Sequence, residues 1–248
     1  MGNIGLQLYS LKDMAAKDLL GTIETVAKIG YDGVELWNNF GIPAAEIRRA
    51  LGAGGIRCAG SHVGLDELLT HLDRVMETSL TLGATSIVCP RVPEEMRNSA
   101  DAFRRTADVF SRIGERCRAA GLTFAFHHHG EELRSFDGES GLDIIARFSD
   151  PTVVKLQLEV YWLVLCGQDP ARAVEKYADR CASLHVSDVK SVASRDYTEL
   201  GSGIVDMPAL VAACSRHGVE WLNVEHEWYD GDELQSLGES LGYLRSLA

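Results

Sequence analysis

The residues of this 248-residue chain best suited to chemistry are carboxylates and imidazoles placed where short apolar segments end. They recur through the whole sequence and do not form one compact motif; they are Glu35, His62, His127, His129, Glu159, His185 and Glu225. Carboxylate oxygens and imidazole nitrogens ligate divalent cations, and the same groups act as general acids and bases. A fold that gathers these segment ends would build a metal-assisted proton-transfer site.

The segment from Lys155 to Glu159 gives the strongest single indication of a buried polar site. Lys155, Gln157 and Glu159 alternate with apolar residues, so a strand here turns all three toward one face. In a sheet covered by helices that face is the interior, where a lysine and a glutamate are costly to bury unless they are paired or bound to a metal. The pattern therefore predicts that all three side chains point into the site.

Taken singly, these residues also have ordinary structural explanations. Glu35 can bond the backbone or an arginine, and a lone histidine such as His62 is commonly a satisfied hydrogen-bonding residue. The run His127–His129 can be a solvated loop, in which His128 faces away from its neighbours. Trp37 and Trp162 can be packing residues, although aromatic faces also suit sugar rings. A purely structural role does not explain why carboxylates or histidines stand at the ends of six segments.

The elements that position these groups follow from an alternation of short apolar runs with amphipathic stretches, as in repeated βα units. The candidate strands are Ile4–Leu8, Gly33–Leu36, Ile56–Ser61, Ser86–Cys89, Leu122–His127, Val153–Leu158, Ser183–Val186 and Trp221–Val224. With no break in composition, these units predict one (β/α)8 TIM barrel domain over residues 1–248. The alternative is an open doubly wound sheet, whose first strand usually precedes a glycine-rich loop; Gln7–Leu11 contains no glycine.

Helix boundaries support the same arrangement. Five glycines follow amphipathic stretches, as left-handed helix ends require, namely Gly30, Gly55, Gly83, Gly121 and Gly218. Leu65–Leu82 predicts one long helix with an apolar stripe of Leu65, Leu68, Leu69, Leu72, Val75, Met76 and Leu80. Asp206, followed by Pro208, predicts a helix start. In such a barrel the active site lies where the strands end, at the C-terminal face.

Composition excludes several classes of protein. The formal net charge is −12 and no basic run is present, so nucleic acid is not an expected partner. The sequence has neither an apolar stretch of membrane-spanning length nor a signal-peptide pattern, so we expect a cytoplasmic protein with no membrane contact. Six scattered cysteines without a CxxC pair predict reduced, mostly buried thiols.

Seven segments in order along the chain resemble the xylose-isomerase-like TIM-barrel group, which includes sugar phosphate isomerases and epimerases and inosose dehydratase-like proteins. The segments are Ile4–Leu11, Gly30–Leu36, Ser61–Gly64, Phe126–His129, Leu158–Trp162, His185–Lys190 and Gly201–Asp206. The resemblance spans nearly the whole chain. It is specific for the superfamily and uninformative about the substrate.

The resemblance implies a divalent metal held by residues that end strands five to eight. Carried across, three of these ligands are Glu159, His185 and Glu225, with Glu132 favoured as the fourth and His127 as its substitute. Two departures bear on metal occupancy: Glu159 replaces the usual Asp of an Asp-Val-Tyr-Trp motif, and His128 replaces the middle residue of His-Asn-His. An oxygen-rich site suits Mn²⁺ best, with Mg²⁺, Co²⁺ or Zn²⁺ as alternatives.

The chemistry expected of this site begins with loss of the proton beside a sugar carbonyl, which gives an enediolate. Candidate bases are His129, His62 and Glu35, and Lys155 is the candidate proton donor. Return of the proton makes the protein an isomerase or epimerase of a sugar or keto-sugar. Expulsion of a neighbouring oxygen instead makes it a dehydratase or lyase acting on a keto-sugar, inosose or 3-keto-glycoside.

Substrate contacts are expected from residues near the same strand ends, namely Gln7, Trp37, His127, Gln157, Trp162, Asp188 and Lys190. The expected partners are a small sugar or polyol and further copies of the chain in a homo-oligomer. Two other classes remain: a non-catalytic, metal-free sugar-binding subunit, which Glu159 in place of Asp favours, and an abasic-site endonuclease, which the acidic charge disfavours.

Overall fold

The structure, a computed structural model, describes residues 2–136 and 138–247. Eight parallel strands close into a barrel in chain order, and the first strand pairs with both the second and the last. The strands are β1 (Asn3–Gln7), β2 (Gly33–Leu36), β3 (Arg57–His62), β4 (Ser86–Cys89), β5 (Thr123–His127), β6 (Val154–Glu159), β7 (Cys181–Val186) and β8 (Trp221–Val224). The predicted TIM barrel is confirmed.

The helices surround the barrel. They are α1 (Lys12–Lys17), α2 (Leu19–Ile29), α3 (Ala44–Gly54), α4 (Leu65–Thr70), α5 (Leu72–Leu82), α6 (Ala100–Ala119), α7 (Gly141–Phe148), α8 (Val160–Leu165), α9 (Pro170–Lys176), α10 (Met207–Arg216) and α11 (Glu233–Ser246). All five glycines expected to end helices adopt positive φ. Asp206 caps α10 by accepting a hydrogen bond from the amide of Ala209, as the sequence predicted. Apolar residues between strands and helices form one continuous core.

The predicted long helix Leu65–Leu82 is two helices, because the chain breaks at His71 (φ −137°, ψ 31°). The buried positions keep one helical period across the break, at Leu65, Leu68, Leu72, Val75 and Leu82. Leu69 and Leu80 lie at the edge of that face and are 55% and 52% exposed. The prediction of one helix was therefore wrong, and the predicted apolar stripe is wider than the face that the barrel buries.

Two further predictions concern the chain as a whole. In the described part of the chain, no helix combines the length and apolar character needed to cross a membrane. All six cysteines are free thiols, and Cys166 alone among them is exposed. The state of the cysteines agrees with the sequence analysis.

Candidate active site and metal centre

A cavity of about 340 Å³ opens at the C-terminal mouth of the barrel. Its wall consists of Tyr9, Trp37, His62, Pro90, Arg91, His127, His129, Glu159, Trp162, Tyr197, Glu225 and Glu227. A neighbouring cleft of about 650 Å³ shares Trp37 and His62 with it. We assign the chemistry to the smaller cavity because the buried carboxylates and imidazoles converge there.

Three of the expected metal ligands meet at the floor of this cavity. Glu159 ends β6, His185 lies on β7 and Glu225 directly follows β8. The Nδ1 atom of His185 is 3.2 Å from an oxygen of Glu159 and 2.9 Å from an oxygen of Glu225. All three side chains are buried, and their potential ligand atoms lie within 4.8 Å of one another.

The donor set of these three residues fits a divalent cation. Burial raises the pKa of Glu159 to about 8, opposed by His185 and reinforced by the Glu225 carboxylate. Burial also opposes charge on His185, but the carboxylates of Glu225 and Glu35 outweigh it and raise the pKa of His185 well above its ordinary value. Two buried carboxylates beside one imidazole are stable only with a compensating proton or cation. The cluster is therefore suited to a bound ion.

The extra methylene of Glu159, relative to the aspartate that the family resemblance implied, is accommodated by a double role. One carboxylate oxygen accepts a hydrogen bond of 2.9 Å from the amide of Tyr161 and so caps α8. The other oxygen turns toward His185. The longer side chain thus still reaches the cluster.

Glu35 lies beneath this cluster, and both of its oxygens are occupied. The Nε2 atom of His185 is 2.5 Å from Glu35 Oε2, and the amide of Gln7 donates to the same oxygen at 2.8 Å. Gln157 and Asn223 donate to the second oxygen at 2.7 and 3.3 Å. Although burial opposes ionisation, the facing His62 and His185 hold the pKa of Glu35 well below its usual range. Glu35 is thus an anchored carboxylate beneath the cavity, and this geometry argues against the predicted role as a general base.

The histidines at the end of β5 separate as the sequence suggested. His127 and His129 line the cavity, whereas His128 is buried and accepts a hydrogen bond from the amide of Glu159 at 3.1 Å. Burial and the nearby Arg91 lower the pKa of His129 to about 3. His129 is consequently neutral at physiological pH and is a hydrogen-bonding group more than a strong base.

Two of the predicted catalytic and metal-binding residues lie away from the cluster. Glu132 is buried, but its carboxylate accepts a hydrogen bond from the amide of His129 and faces Arg97 at 3.7 Å. Lys155 occupies the N-terminal part of β6, where its ammonium donates to the carbonyls of Pro151 and Asp179. Glu132 is therefore a loop-stabilising residue, and Lys155 is at the wrong end of the barrel to donate a proton.

Four of the predicted substrate contacts lie off the cavity wall. Asp188 is buried and accepts hydrogen bonds from the amides of Val189, Gly201, Gly203 and Val205, which fold the loop after β7. Lys190 is exposed and pairs with Asp230. Gln7 and Gln157 are fully buried and hold Glu35 from below the cavity. By contrast, Trp37, Trp162 and His127 do lie on the cavity wall.

Sequence reasoning missed five residues of the wall: Tyr9, Pro90, Arg91, Tyr197 and Glu227. Arg91 follows the end of β4 by two positions, so the strand-end argument would have found it had it been applied to that strand. Tyr197 comes from the loop folded by Asp188, and its ring stacks on Tyr161 at 4.4 Å between centroids. No periodicity in the sequence marks that residue.

Comparison with known proteins identifies the class. The family model described as "Xylose isomerase-like TIM barrel" matches residues 23–247, and the chain belongs to that family. Its members include sugar isomerases, epimerases and dehydratases.

Individual relatives are distant. An inosose dehydratase of Lacticaseibacillus casei is 28% identical over 145 residues, which cover 51% of this chain and 48% of that protein. The chain thus aligns with only about half the length of this relative. Among solved structures, a sugar phosphate isomerase/epimerase of Parabacteroides distasonis has a TM-score of 0.85 at 22% identity, with 99% of this chain and 94% of that chain covered. The IolI protein with a bound zinc atom has a TM-score of 0.79 at 15% identity and covers 99% and 97% of the two chains.

Proposed function

We propose that this protein is a divalent-metal-dependent isomerase or epimerase of a keto-sugar or keto-polyol. The observation that carries the proposal is the buried cluster of Glu159, His185 and Glu225, whose carboxylates reach the floor of the active-site cavity. Isolated buried carboxylates are destabilising, and perturbed groups of this kind concentrate where proton transfer or metal binding occurs.

The cation proposed for this site is Mn²⁺, with Mg²⁺, Co²⁺ or Zn²⁺ as alternatives. Glu159, His185 and Glu225 would hold it, since two carboxylates and one imidazole form an oxygen-rich donor set. When bound, such an ion supplies Lewis-acid polarisation of a substrate carbonyl and stabilises negative charge that develops on it.

The chain's own residues provide binding and proton transfer. Trp37 and Trp162 offer aromatic surfaces for a sugar ring, and Arg91 and His129 offer hydrogen-bond donors and acceptors on the same wall. The carboxylates of Glu159 and Glu225 are the groups best placed to remove the proton beside the carbonyl. Returning that proton to the adjacent carbon gives isomerisation, and returning it to the opposite face gives epimerisation.

Dehydration of a keto-polyol is the second candidate, and the inosose dehydratase relatives favour it. The same proton removal begins both reactions, and they differ in whether a β-hydroxyl leaves. His62, His127 and His129 line the cavity and are available to contact that hydroxyl. A 3-keto-glycoside or inosose would be a substrate of suitable chemistry for this alternative.

Solvent exchange tests the proposal without requiring the natural substrate in advance. The Mn²⁺-loaded protein is incubated in D₂O with a panel of keto-sugars and inososes, and products are followed by NMR and mass spectrometry. Deuterium at the carbon beside the carbonyl supports the proposal, and water loss with that substrate selects the dehydratase alternative. No exchange across the panel, for folded and metal-loaded protein, would contradict the proposed proton transfer.

A further inference from the structure

The buried carboxylate of Glu35 is surrounded by donors alone. Oxygen Oε2 faces Gln7 Nε2 at 2.8 Å, His185 Nε2 at 2.5 Å and His62 Nε2 at 3.1 Å. Oxygen Oε1 faces Gln157 Nε2 at 2.7 Å and Asn223 Nδ2 at 3.3 Å. An ionised carboxylate only accepts hydrogen bonds, so every one of these atoms must present a proton to it.

The Gln157 amide extends this requirement for a proton to His127, which does not contact Glu35 itself. Its NH₂ group donates to Glu35 and to Ser183 Oγ at 3.0 Å, because the reversed amide would set an oxygen against the carboxylate. Its oxygen therefore faces the other way, toward His62 Nε2 at 2.9 Å and His127 Nδ1 at 3.0 Å. Since an amide oxygen also only accepts, both ring nitrogens must carry protons.

We infer that Glu35, acting through Gln157, is a positioning residue that sets the proton-bearing nitrogen of three histidines. His62 and His185 are protonated at Nε2, and His127 is protonated at Nδ1. In their neutral forms the opposite nitrogens, His62 Nδ1, His127 Nε2 and His185 Nδ1, carry lone pairs.

This arrangement matters for the function proposed above, and the functional consequence rests on that proposal. His185 Nδ1 faces the oxygens of Glu159 and Glu225, to which it presents a proton when no cation is bound. A cation bound among these residues would replace that proton, and Glu35, by holding the proton on Nε2, would leave Nδ1 as the ligand atom. The free nitrogens of His62 and His127, two cavity-wall residues, are acceptors. That wall is therefore matched to hydroxyl groups, which donate, and a deoxy analogue would leave the acceptors unpaired.

The tautomers are measured by long-range ¹H–¹⁵N correlation spectra of the metal-free, histidine-labelled protein, so this test does not depend on activity. The expected wild-type result is the Nε2 tautomer for His62 and the Nδ1 tautomer for His127. In Glu35→Gln one oxygen becomes an NH₂ group, and in either orientation of the new amide this group faces hydrogen-bond donors. We therefore expect the tautomer of His62 or His127 to change.

His128 is the internal control. Its Nε2 accepts from the amide of Glu159 and its Nδ1 faces the carbonyl of His129, so only backbone groups set its tautomer. It should remain the Nδ1 tautomer in every variant. The double variant E35Q/Q157E returns a carboxylate to the side facing His62 and His127 and should restore their wild-type tautomers.

Zinc affinity gives a second measurement, for His185. Loss of an outer hydrogen-bond partner typically weakens metal binding about 10–100-fold, so Glu35→Gln should bind Zn²⁺ that much more weakly than the wild type. Glu24→Gln, an exposed carboxylate paired with Lys28, is the matched control. Opposite wild-type tautomers at His62 and His127, or tautomers and zinc affinity unchanged in a folded Glu35→Gln variant, would overturn the inference. Wild-type tautomers as expected in a protein that binds no Zn²⁺ would preserve it and refute the metal-dependent function.

Discussion

Asp188→Asn should loosen the loop that completes the cavity. The Asp188 carboxylate is buried, with Oδ1 accepting from the amides of Val189 and Val205 at 2.9 and 3.1 Å. Oδ2 accepts from the amides of Gly201 and Gly203, each at 3.0 Å. An asparagine can keep the first pair, but its NH₂ group then meets the second pair of donors.

The magnitude follows from those two lost acceptors. An unsatisfied buried donor costs roughly 1–3 kcal/mol, so two of them predict a loss of about 2–6 kcal/mol, toward the lower value if the loop opens to water. Gly203 packs directly against the Asp188 carboxylate, since an added Cβ there would lie 2.2 Å from Oδ1. Tyr197 belongs to this loop, so the part of the cavity wall that Tyr197 forms should become mobile.

The assay is urea unfolding followed by circular dichroism, together with limited proteolysis of the folded protein. Asp188→Asn should unfold at lower urea concentration and be cleaved between residues 189 and 205. Asp230→Asn is the control, because Asp230 is an exposed acid at the same mouth whose pairing with Lys190 contributes little. Equal unfolding midpoints and equal proteolysis for wild type and Asp188→Asn would refute this account of the loop.

Three further outcomes are expected. Arg180→Ala should lower the free energy of unfolding by about 2–4 kcal/mol, because buried Arg180 donates to the carbonyls of Val154 and Ala146 and its removal leaves both acceptors unpaired. An unchanged midpoint in urea would contradict this. Although burial opposes ionisation, hydrogen bonds from Lys176, Tyr177 and Ser140 lower the pKa of Asp143. The stability that Asp143 contributes is therefore present above its unfolded-state pKa and is lost as pH falls through its folded-state pKa. Asp143→Asn should lose part of the acid sensitivity of unfolding, and a pH profile identical to that of the wild type would contradict this. Lys155→Met should leave metal binding and solvent exchange unchanged, and loss of either in a folded variant would restore the discarded role of Lys155.

The strands were predictable because apolar runs and helix-ending glycines depend only on the local sequence. The centres of all eight strands were placed correctly, and several bounds, such as those of Trp221–Val224, agree with the structure. The helix break at His71 was not predictable, because a continuous apolar period does not reveal where packing interrupts it.

The site was predictable where strand ends determine it and not elsewhere. Glu159, His185 and Glu225 were recognised as candidate chemical groups because parallel strands end at one face of a barrel, and the family resemblance implied that they are metal ligands. Lys155 was misplaced because alternation gives the face of a strand and not the depth: four residues at about 3.3 Å each put it about 13 Å below Glu159. The roles of Asp188 and Glu132 depend on loop amides, which no residue spacing reports.

The central claim is that Glu159, His185 and Glu225 form one divalent-cation centre, and metal binding tests it most directly. Wild type, Glu159→Ala, His185→Ala and the surface control Glu24→Gln are dialysed against Mn²⁺ and analysed by mass spectrometry for bound metal, with circular dichroism to establish folding. The account predicts about one bound ion per chain in the wild type and in Glu24→Gln, and loss of binding in the other two variants. No stoichiometric metal in the folded wild type, or undiminished binding by His185→Ala, would contradict it.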